Sequence, residues 1–138
     1  MSYIDRIKER ARFDKKTIVL PETTDKRTLI AAAKIIEEKI ADIIMIGNEE
    51  KIMDGAGWLE VDLTEVKVID PQTTPLLDEY VNLLYETRKS KGMTLELARE
   101  TLLKDSLTFG IMMVKAGHAD GMVAGACHST ADTLRPAL

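Results

Sequence analysis

The sequence has few aromatic residues, one cysteine and no long apolar run. Phenylalanine, tryptophan and tyrosine together make up 4% of the chain, so the core has to be built from aliphatic side chains and methionine. Cys127 is the only cysteine, which excludes an internal disulfide and favours a reducing compartment. No apolar run approaches the roughly 20 residues that span a bilayer, and the charged residues 1–13 do not resemble a signal peptide. We therefore expect a cytoplasmic protein that does not enter a membrane.

An excess of basic charge is absent as well. The formal net charge of -4 argues against a general nucleic-acid binder, which needs a basic surface to displace counterions. Apolar residues make up 45% of the chain and charged residues 30%, a balance typical of a folded domain rather than a disordered one. A length of 138 residues suits one compact domain better than two. We expect one domain without a nucleic-acid partner, in which a local group of cations could still bind a small anion.

Short apolar runs alternate with amphipathic segments along the chain. Apolar runs bounded by turn residues predict strands at 17–20, 42–46, 66–69 and 121–124. Helical spacing and capping residues predict helices at 2–13, from Leu29 to Ile40, at 49–53 before Gly55, from Pro75 to Gly92, after Thr94, and from Asp105 to Gly117. Strands that alternate with helices indicate an α/β fold, a three-layer α/β/α arrangement with a mostly parallel sheet.

The loop that follows the first predicted strand, residues 21–27, is one place where a ligand could bind. Open parallel sheets bind ligands beyond the carboxyl ends of their strands, and this loop offers hydroxyls, a helix start and charged side chains. From the residues alone, a simpler interpretation is a helix cap formed by Thr24 or Asp25, with Lys26 and Arg27 in solvent.

The segment after the last predicted strand, residues 125–135, offers more groups that could bind a ligand. Gly125 lets a ligand approach the backbone, and free N–H groups at a helix start favour an anion. Ser129 could donate to phosphate oxygens and Arg135 could hold a phosphate through two hydrogen bonds. Ser129 and Asp132 also have the spacing of a capping box, so a purely structural role stays open. The segment lacks the glycine patterns of nucleotide-binding loops.

The sequence gives less support for a functional role of the other candidate residues. Cys127 and His128 are adjacent, and neighbours in an extended segment point apart, so they do not form a catalytic pair. His118 is the only other histidine, and neither histidine has metal-ligand spacing relative to carboxylates, so we expect no metal. Arg88 ends a predicted helix, where a cation compensates the helix dipole.

Several segments of the chain resemble the phosphate acetyl/butyryltransferase family. The resemblance is carried in order and with similar spacing by residues 17–27, 41–48, 85–92, 119–126 and 128–137. The last of these, which reads His-Ser-Thr-Ala-Asp-Thr-Leu-Arg-Pro-Ala, is the most specific. The match covers essentially the whole chain and favours the acetyl branch over the butyryl branch without deciding between them.

The resemblance implies a two-domain α/β enzyme, usually a homodimer, of acetate and acetyl-CoA metabolism, with its active site in the cleft between domains. The thiol of coenzyme A attacks acetyl phosphate directly, so coenzyme A is a substrate and neither a metal nor a permanently bound cofactor takes part. By matching position, the residues that bind phosphate and coenzyme A would be Arg88, Ser129, Thr130, Asp132, Thr133 and Arg135. No residue of this chain is assigned a catalytic role with certainty.

The chain departs from the family in its length. Family members are much longer, and the aspartate thought to act as the base toward the thiol belongs to a C-terminal half that is absent here. Residues 1–138 are therefore expected to be the N-terminal portion of the first domain, with an incomplete sheet that could self-associate, and inactive alone. The last residues, 134–138, look like a helix that has just begun, which also suggests a fragment.

Two alternatives from other functional classes stay open. One is an oxidoreductase or decarboxylase domain that binds a dinucleotide, although the glycine fingerprint and the acidic ribose-binding residue of such domains are missing. The other is a non-catalytic α/β module that binds a partner chain.

Overall fold

A computed structural model of the chain describes residues 2–124. The helices of this part are α1 (Tyr3–Phe13), α2 (Lys26–Glu37), α3 (Glu49–Leu59), α4 (Leu77–Arg88), α5 (Leu95–Lys104) and α6 (Ser106–Lys115). The strands are β1 (Lys16–Leu20), β2 (Ala41–Ile46), β3 (Lys67–Ile69) and β4 (Gly121–Met122). One 3-10 turn, Lys89–Lys91, directly follows α4 in the described residues.

The four strands form one parallel sheet in the order β3-β2-β1-β4. Ile18 of β1 is aligned with Ile43 of β2 on one side and with Gly121 of β4 on the other. The chain therefore builds outward from β1 through β2 to β3, and then returns to add β4 on the opposite side of β1. This reversal creates a topological switch point between β1 and β4, the position where open parallel sheets bind ligands.

Both faces of the sheet are covered by helices. On one face α2 and α3 pack onto β2, with Leu29 and Ile52 buried against Ile43. On the other face α4, α5 and α6 pack around Tyr80 and Phe109, whose rings meet edge to face with centroids 5.0 Å apart. Burying one such large apolar side chain stabilises the fold by about 1.5–3 kcal/mol. The three-layer α/β/α prediction is confirmed.

The predicted helix caps are also confirmed. The side chain of Asp25 accepts a hydrogen bond from the backbone N–H of Arg27 at the start of α2 (2.9 Å), and Thr94 caps α5 in the same way. Asp105 accepts from the backbone of Leu107 at the start of α6 (3.0 Å). Gly92 ends the turn after α4 with a φ of 89°, a left-handed conformation that glycine adopts without strain.

The prediction that α3 ends before Gly55 is wrong, because the helix continues to Leu59. A Cβ atom at Gly55 would lie 2.9 Å from the Cδ1 atom of Leu29. Glycine therefore lets α3 approach α2 closely, and the packing of Ile52 and Ala56 outweighs the roughly 1 kcal/mol that glycine costs inside a helix.

Other boundaries also differ from the prediction, at the end of α2 and of the last strand among others. Ile40, taken as the last residue of the apolar stripe of α2, lies outside the helix, because α2 ends at Glu37 and Lys39 adopts a φ of 57°. The final strand ends at Met122 rather than at residue 124, although the N–H of Val123 still donates to the carbonyl oxygen of Val19 (3.0 Å).

The N-terminal helix α1 is attached by polar contacts and buries none of its residues. The ammonium of Lys8 donates to the carboxylate of Glu38 (2.8 Å), and this hydrogen bond lowers the pKa of Glu38. The guanidinium of Arg12 donates to the backbone carbonyl of Glu38 (2.6 Å). No helix within residues 2–124 is long and apolar enough to cross a bilayer.

Candidate functional site

The carboxyl ends of β1 and β2 are tied together by the loop that follows β1. The hydroxyl of Thr23 donates to the backbone carbonyl of Ile46, the last residue of β2 (2.8 Å). Gly47 follows immediately with a φ of 150°, and a Cβ atom there would lie 2.7 Å from the Thr23 hydroxyl oxygen. The loop is therefore held against the sheet edge by a contact that only glycine at position 47 permits.

A crevice of about 230 Å³ lies at the switch point between β1 and β4. Its lining residues come from the end of β1 and the loop after it, from the first half of α2, and from the segment directly after β4: Leu20, Glu22, Arg27, Thr28, Ala31, Val123 and Ala124. The sequence analysis predicted ligand binding beyond the carboxyl ends of the strands, and the structure provides a concave surface at that edge.

Glu22 supplies a buried carboxyl group to this crevice. The residue is only 6% exposed, and buried carboxylates are unfavourable unless they are hydrogen-bonded or paired with charge. Glu22 is engaged in such interactions, since no buried side-chain oxygen or nitrogen within residues 2–124 lacks a hydrogen-bond partner. Glu22 was not among the binding residues predicted from the sequence. The sequence feature that could have pointed to Glu22 is its position, directly after the proline that ends a buried strand.

Asp25 and Arg27 form a local pair at the rim of the crevice. The guanidinium of Arg27 donates to both carboxylate oxygens of Asp25, through Nε (3.2 Å) and Nη2 (2.9 Å). Of the two capping residues considered, Asp25 is the one that caps α2. The side chain of Arg27 remains 73% exposed, as expected, but it is paired and lines the crevice. It therefore gives the rim a cation whose position is fixed by a carboxylate.

Arg88 is the one predicted binding residue that the structure describes. It is the last residue of α4 and is partly buried, directly before the 3-10 turn that Gly92 ends. It does not line the crevice between β1 and β4. Its position at a helix C-terminus fits dipole compensation and leaves its predicted role in substrate binding untested.

The other predicted binding residues lie outside the described residues. These are Ser129, Thr130, Asp132, Thr133 and Arg135, and Cys127 and His128 lie outside them too. The last described residue, Ala124, lines the crevice beside Glu22, and the predicted anion-binding segment follows it directly in the chain.

His118 lies at the opposite end of the sheet, before the start of β4. Its Nδ1 atom is 2.6 Å from the hydroxyl oxygen of Tyr80, and its Nε2 atom is 3.9 Å from the carboxylate of Glu79. Burial raises the pKa of Tyr80 to about 12, with a smaller contribution from Glu79. Within residues 2–124, no group of histidine, cysteine and carboxylate side chains is arranged to hold a metal ion.

Comparison with known proteins gives one consistent family. The model of the phosphate acetyl/butaryl transferase family matches residues 2–138. The phosphate acetyltransferase of Acetivibrio thermocellus is 56% identical over all 138 residues, and that of Thermoanaerobacterium thermosaccharolyticum is 50% identical over the same length. The solved structure of a phosphotransacetylase from Streptococcus pyogenes superimposes with a TM-score of 0.90 at 38% identity, covering 100% of this chain.

The same comparisons fix the extent of the match. The chain covers 41% of each of these two phosphate acetyltransferases and 42% of the Streptococcus pyogenes chain. It therefore spans about two fifths of the length of the relatives that it matches.

Proposed function

The chain belongs to the phosphate acetyl/butaryl transferase family, and we propose that residues 1–138 are the N-terminal portion of the first α/β domain of a phosphate acetyltransferase. The whole enzyme would transfer an acetyl group reversibly between coenzyme A and phosphate. The observation that carries the proposal is the 56% identity, over the full length of this chain, with a phosphate acetyltransferase.

In this proposal the crevice between β1 and β4 belongs to one wall of the substrate cleft. The segment that follows Ala124 would bind phosphate oxygens through the hydroxyls of Ser129 and Thr130 and the guanidinium of Arg135. Asp132 and Thr133 fall in the same segment and would also contact the substrates. Arg88 would hold an anionic part of coenzyme A. Support comes from Ala124, which lines the crevice at the switch point of the sheet and directly precedes this segment in the chain.

The chemistry needs a cation where the phosphate leaves. The sulfur of coenzyme A would attack the carbonyl carbon of acetyl phosphate, and the bond from that carbon to the bridging oxygen would break. The bond's electron pair leaves with phosphate, and the thiol proton passes to a base. A guanidinium such as that of Arg135 would stabilise the negative charge that develops on the departing phosphate. Neither a metal nor a permanent cofactor is required by these steps.

The chain would not catalyse this reaction by itself. It spans about two fifths of its relatives, and the base toward the thiol is proposed to lie in the part that they have and this chain lacks. The whole protein would act as a cytoplasmic homodimer in acetate and acetyl-CoA metabolism, without nucleic-acid or membrane partners.

Complementation tests this proposal directly. The purified chain would be mixed with the remaining C-terminal portion of the Acetivibrio thermocellus relative, and thioester formation from acetyl phosphate and coenzyme A would be followed. We expect no activity from either piece and measurable activity from the mixture. A complex of the two pieces that forms but remains inactive would contradict the proposal. Butyryl phosphate in the same assay distinguishes the acetyl branch from the butyryl branch.

A further inference from the structure

A larger cavity, separate from the crevice, lies between α2 and α3. Its volume is about 820 Å³, within the range of about 300–1,000 Å³ that is usual for small-molecule sites. The lining residues that matter for binding are Lys26, Leu29, Lys51, Ile52, Gly55 and Trp58. None of these is a residue to which the proposed acetyl transfer assigns a role.

The floor of this cavity is apolar. Leu29 and Ile52 are both buried and contribute side chains from the two facing helices. Gly55 lies beside them without a side chain, which brings the helices together at the base of the cavity. A flat apolar group could rest on this floor without leaving a buried polar atom unpaired.

Trp58 extends the apolar surface to the outside. It is the only tryptophan of the chain and is 90% exposed, on the side of α3 that lines the cavity. An indole ring offers a large rigid face on which a planar ring can stack. Stacking of a nucleic-acid base on an aromatic side chain is a common use of such an exposed ring.

The charge of the cavity is positive although the chain as a whole is negative. Lys26 and Lys51 line the cavity and no acidic residue does, in a chain whose net charge is -4. Within residues 2–124, neither lysine forms an ion pair. Glu49 and Glu50 precede Lys51 in α3, but they are not part of the lining. The cavity therefore favours an anion.

The position of Lys26 strengthens this conclusion. It is the first residue of α2, at the positive end of the helix dipole, and the first turn of α2 has no acidic residue. A cation at this position is weakly unfavourable, so an anion bound beside Lys26 would stabilise the helix start. The neighbouring carboxylate of Asp25 caps α2 and is paired with the guanidinium of Arg27.

We propose that this cavity binds a phosphorylated aromatic ligand of the nucleotide type. The aromatic ring would stack on Trp58 above the apolar floor, and the phosphate would be held by Lys26 and Lys51. A free nucleotide and the nucleotide part of coenzyme A share this chemistry. The inference does not rest on the proposed acetyl transfer, because it uses none of the residues assigned to that reaction.

Fluorescence of Trp58 tests the inference, since no other tryptophan contributes to the signal. The purified chain would be titrated with ADP, with adenosine and with inorganic phosphate. We expect a saturable change with ADP, and binding at least about tenfold weaker for adenosine or phosphate, each of which lacks half of the recognised chemistry. The absence of a saturable change with ADP would overturn the inference. Equal binding of ADP and adenosine would overturn it as well, because the lysines would then contribute nothing.

Variants distinguish a specific role of the two lysines in ADP binding from an unspecific effect of losing positive charge. Lys26→Ala combined with Lys51→Ala should weaken ADP binding by about tenfold or more, whereas Lys34→Ala, a change on α2 outside the cavity lining, should not affect it. Trp58→Phe, followed by calorimetry, should also weaken ADP binding. Equal losses in the lysine double variant and in the Lys34 control would contradict a local site.

A titration with coenzyme A identifies the source of the ligand. Tighter binding of coenzyme A than of ADP would assign the cavity to the proposed substrate, and equal binding would favour a free nucleotide. Failure of the complementation assay would leave this result standing, so the two proposals can fail separately.

Discussion

Asp120 and Thr17 exchange a pair of hydrogen bonds that join the first and last strands of the described sheet. The carboxylate of Asp120 accepts from the backbone N–H of Thr17 (2.8 Å), and the backbone N–H of Asp120 donates to the carbonyl oxygen of Thr17 (2.8 Å). β4 has only two residues, so this contact contributes a large share of its attachment to β1. The crevice at the other end of these strands depends on the same alignment.

Asp120→Ala should therefore lower the free energy of unfolding by about 1 kcal/mol, because the N–H of Thr17 loses its partner. Urea denaturation followed by circular dichroism measures the change. Asp54→Ala is the control, since Asp54 is exposed on α3 and no hydrogen bond or ion pair within residues 2–124 involves its side chain. Equal effects of the two substitutions would show that the Asp120 contact does not hold the strands together.

Replacing each of two helical glycines by alanine should change the stability of the fold in opposite directions. A Cβ atom at Gly110 of α6 would lie 2.6 Å from the sulfur of Met122, with Ile46 and Val19 also close, whereas one at Gly57 of α3 would meet nothing within 4 Å. Gly110→Ala should destabilise the fold by about 1–3 kcal/mol through overpacking. Gly57→Ala should stabilise it by about 0.5–1 kcal/mol through helix propensity. Thermal and urea unfolding of both variants checks the signs, and a stabilising Gly110→Ala would contradict the close packing of α6 on the sheet.

The stability of the chain should fall in the alkaline range because of Tyr80. Burial raises its pKa from 10.0 to about 12, so the folded state retains a proton that the unfolded state loses first. The stabilisation is complete below pH 10 and is lost as the pH rises toward 12. Urea midpoints measured across this interval should decline, and Tyr80→Phe should decline less. The same slope in both proteins would assign the effect to other groups.

The starts of α2, α5 and α6 were predictable because the chemistry of their caps is local. Asp25, Thr94 and Asp105 cap helices through hydrogen bonds that reach two or three residues along the chain. The end of α3 was not predictable in this way. Gly55 resembles a stop in the sequence, and only the contact with Leu29 from another helix shows that it lies inside one.

The candidate site also has features that the sequence predicts and features that only the packing of the elements reveals. The order of strands and helices was enough to predict a ligand site beyond the carboxyl ends of the strands, and a crevice lies at that edge. The burial of Glu22 and the cavity beside Trp58 depend on how β1, α2 and α3 pack together. No periodicity or short motif in the sequence encodes that packing.

Arg135→Ala provides the sharpest test of the proposed phosphate site. Hydrogen bonds to charged groups contribute about 1.5–3 kcal/mol, so loss of the guanidinium should weaken the binding of phosphate and acetyl phosphate by that amount. Arg135→Lys should recover only part of it, because an ammonium cannot form the two parallel hydrogen bonds of a guanidinium. Lys115→Ala, at the end of α6, is the control for an unspecific loss of positive charge. Calorimetric titration of the chain with phosphate measures all three variants. If Arg135→Ala and Lys115→Ala behaved alike, the segment after Ala124 would be a helix cap rather than a phosphate site, and the substrate wall would have to be sought elsewhere on the sheet edge.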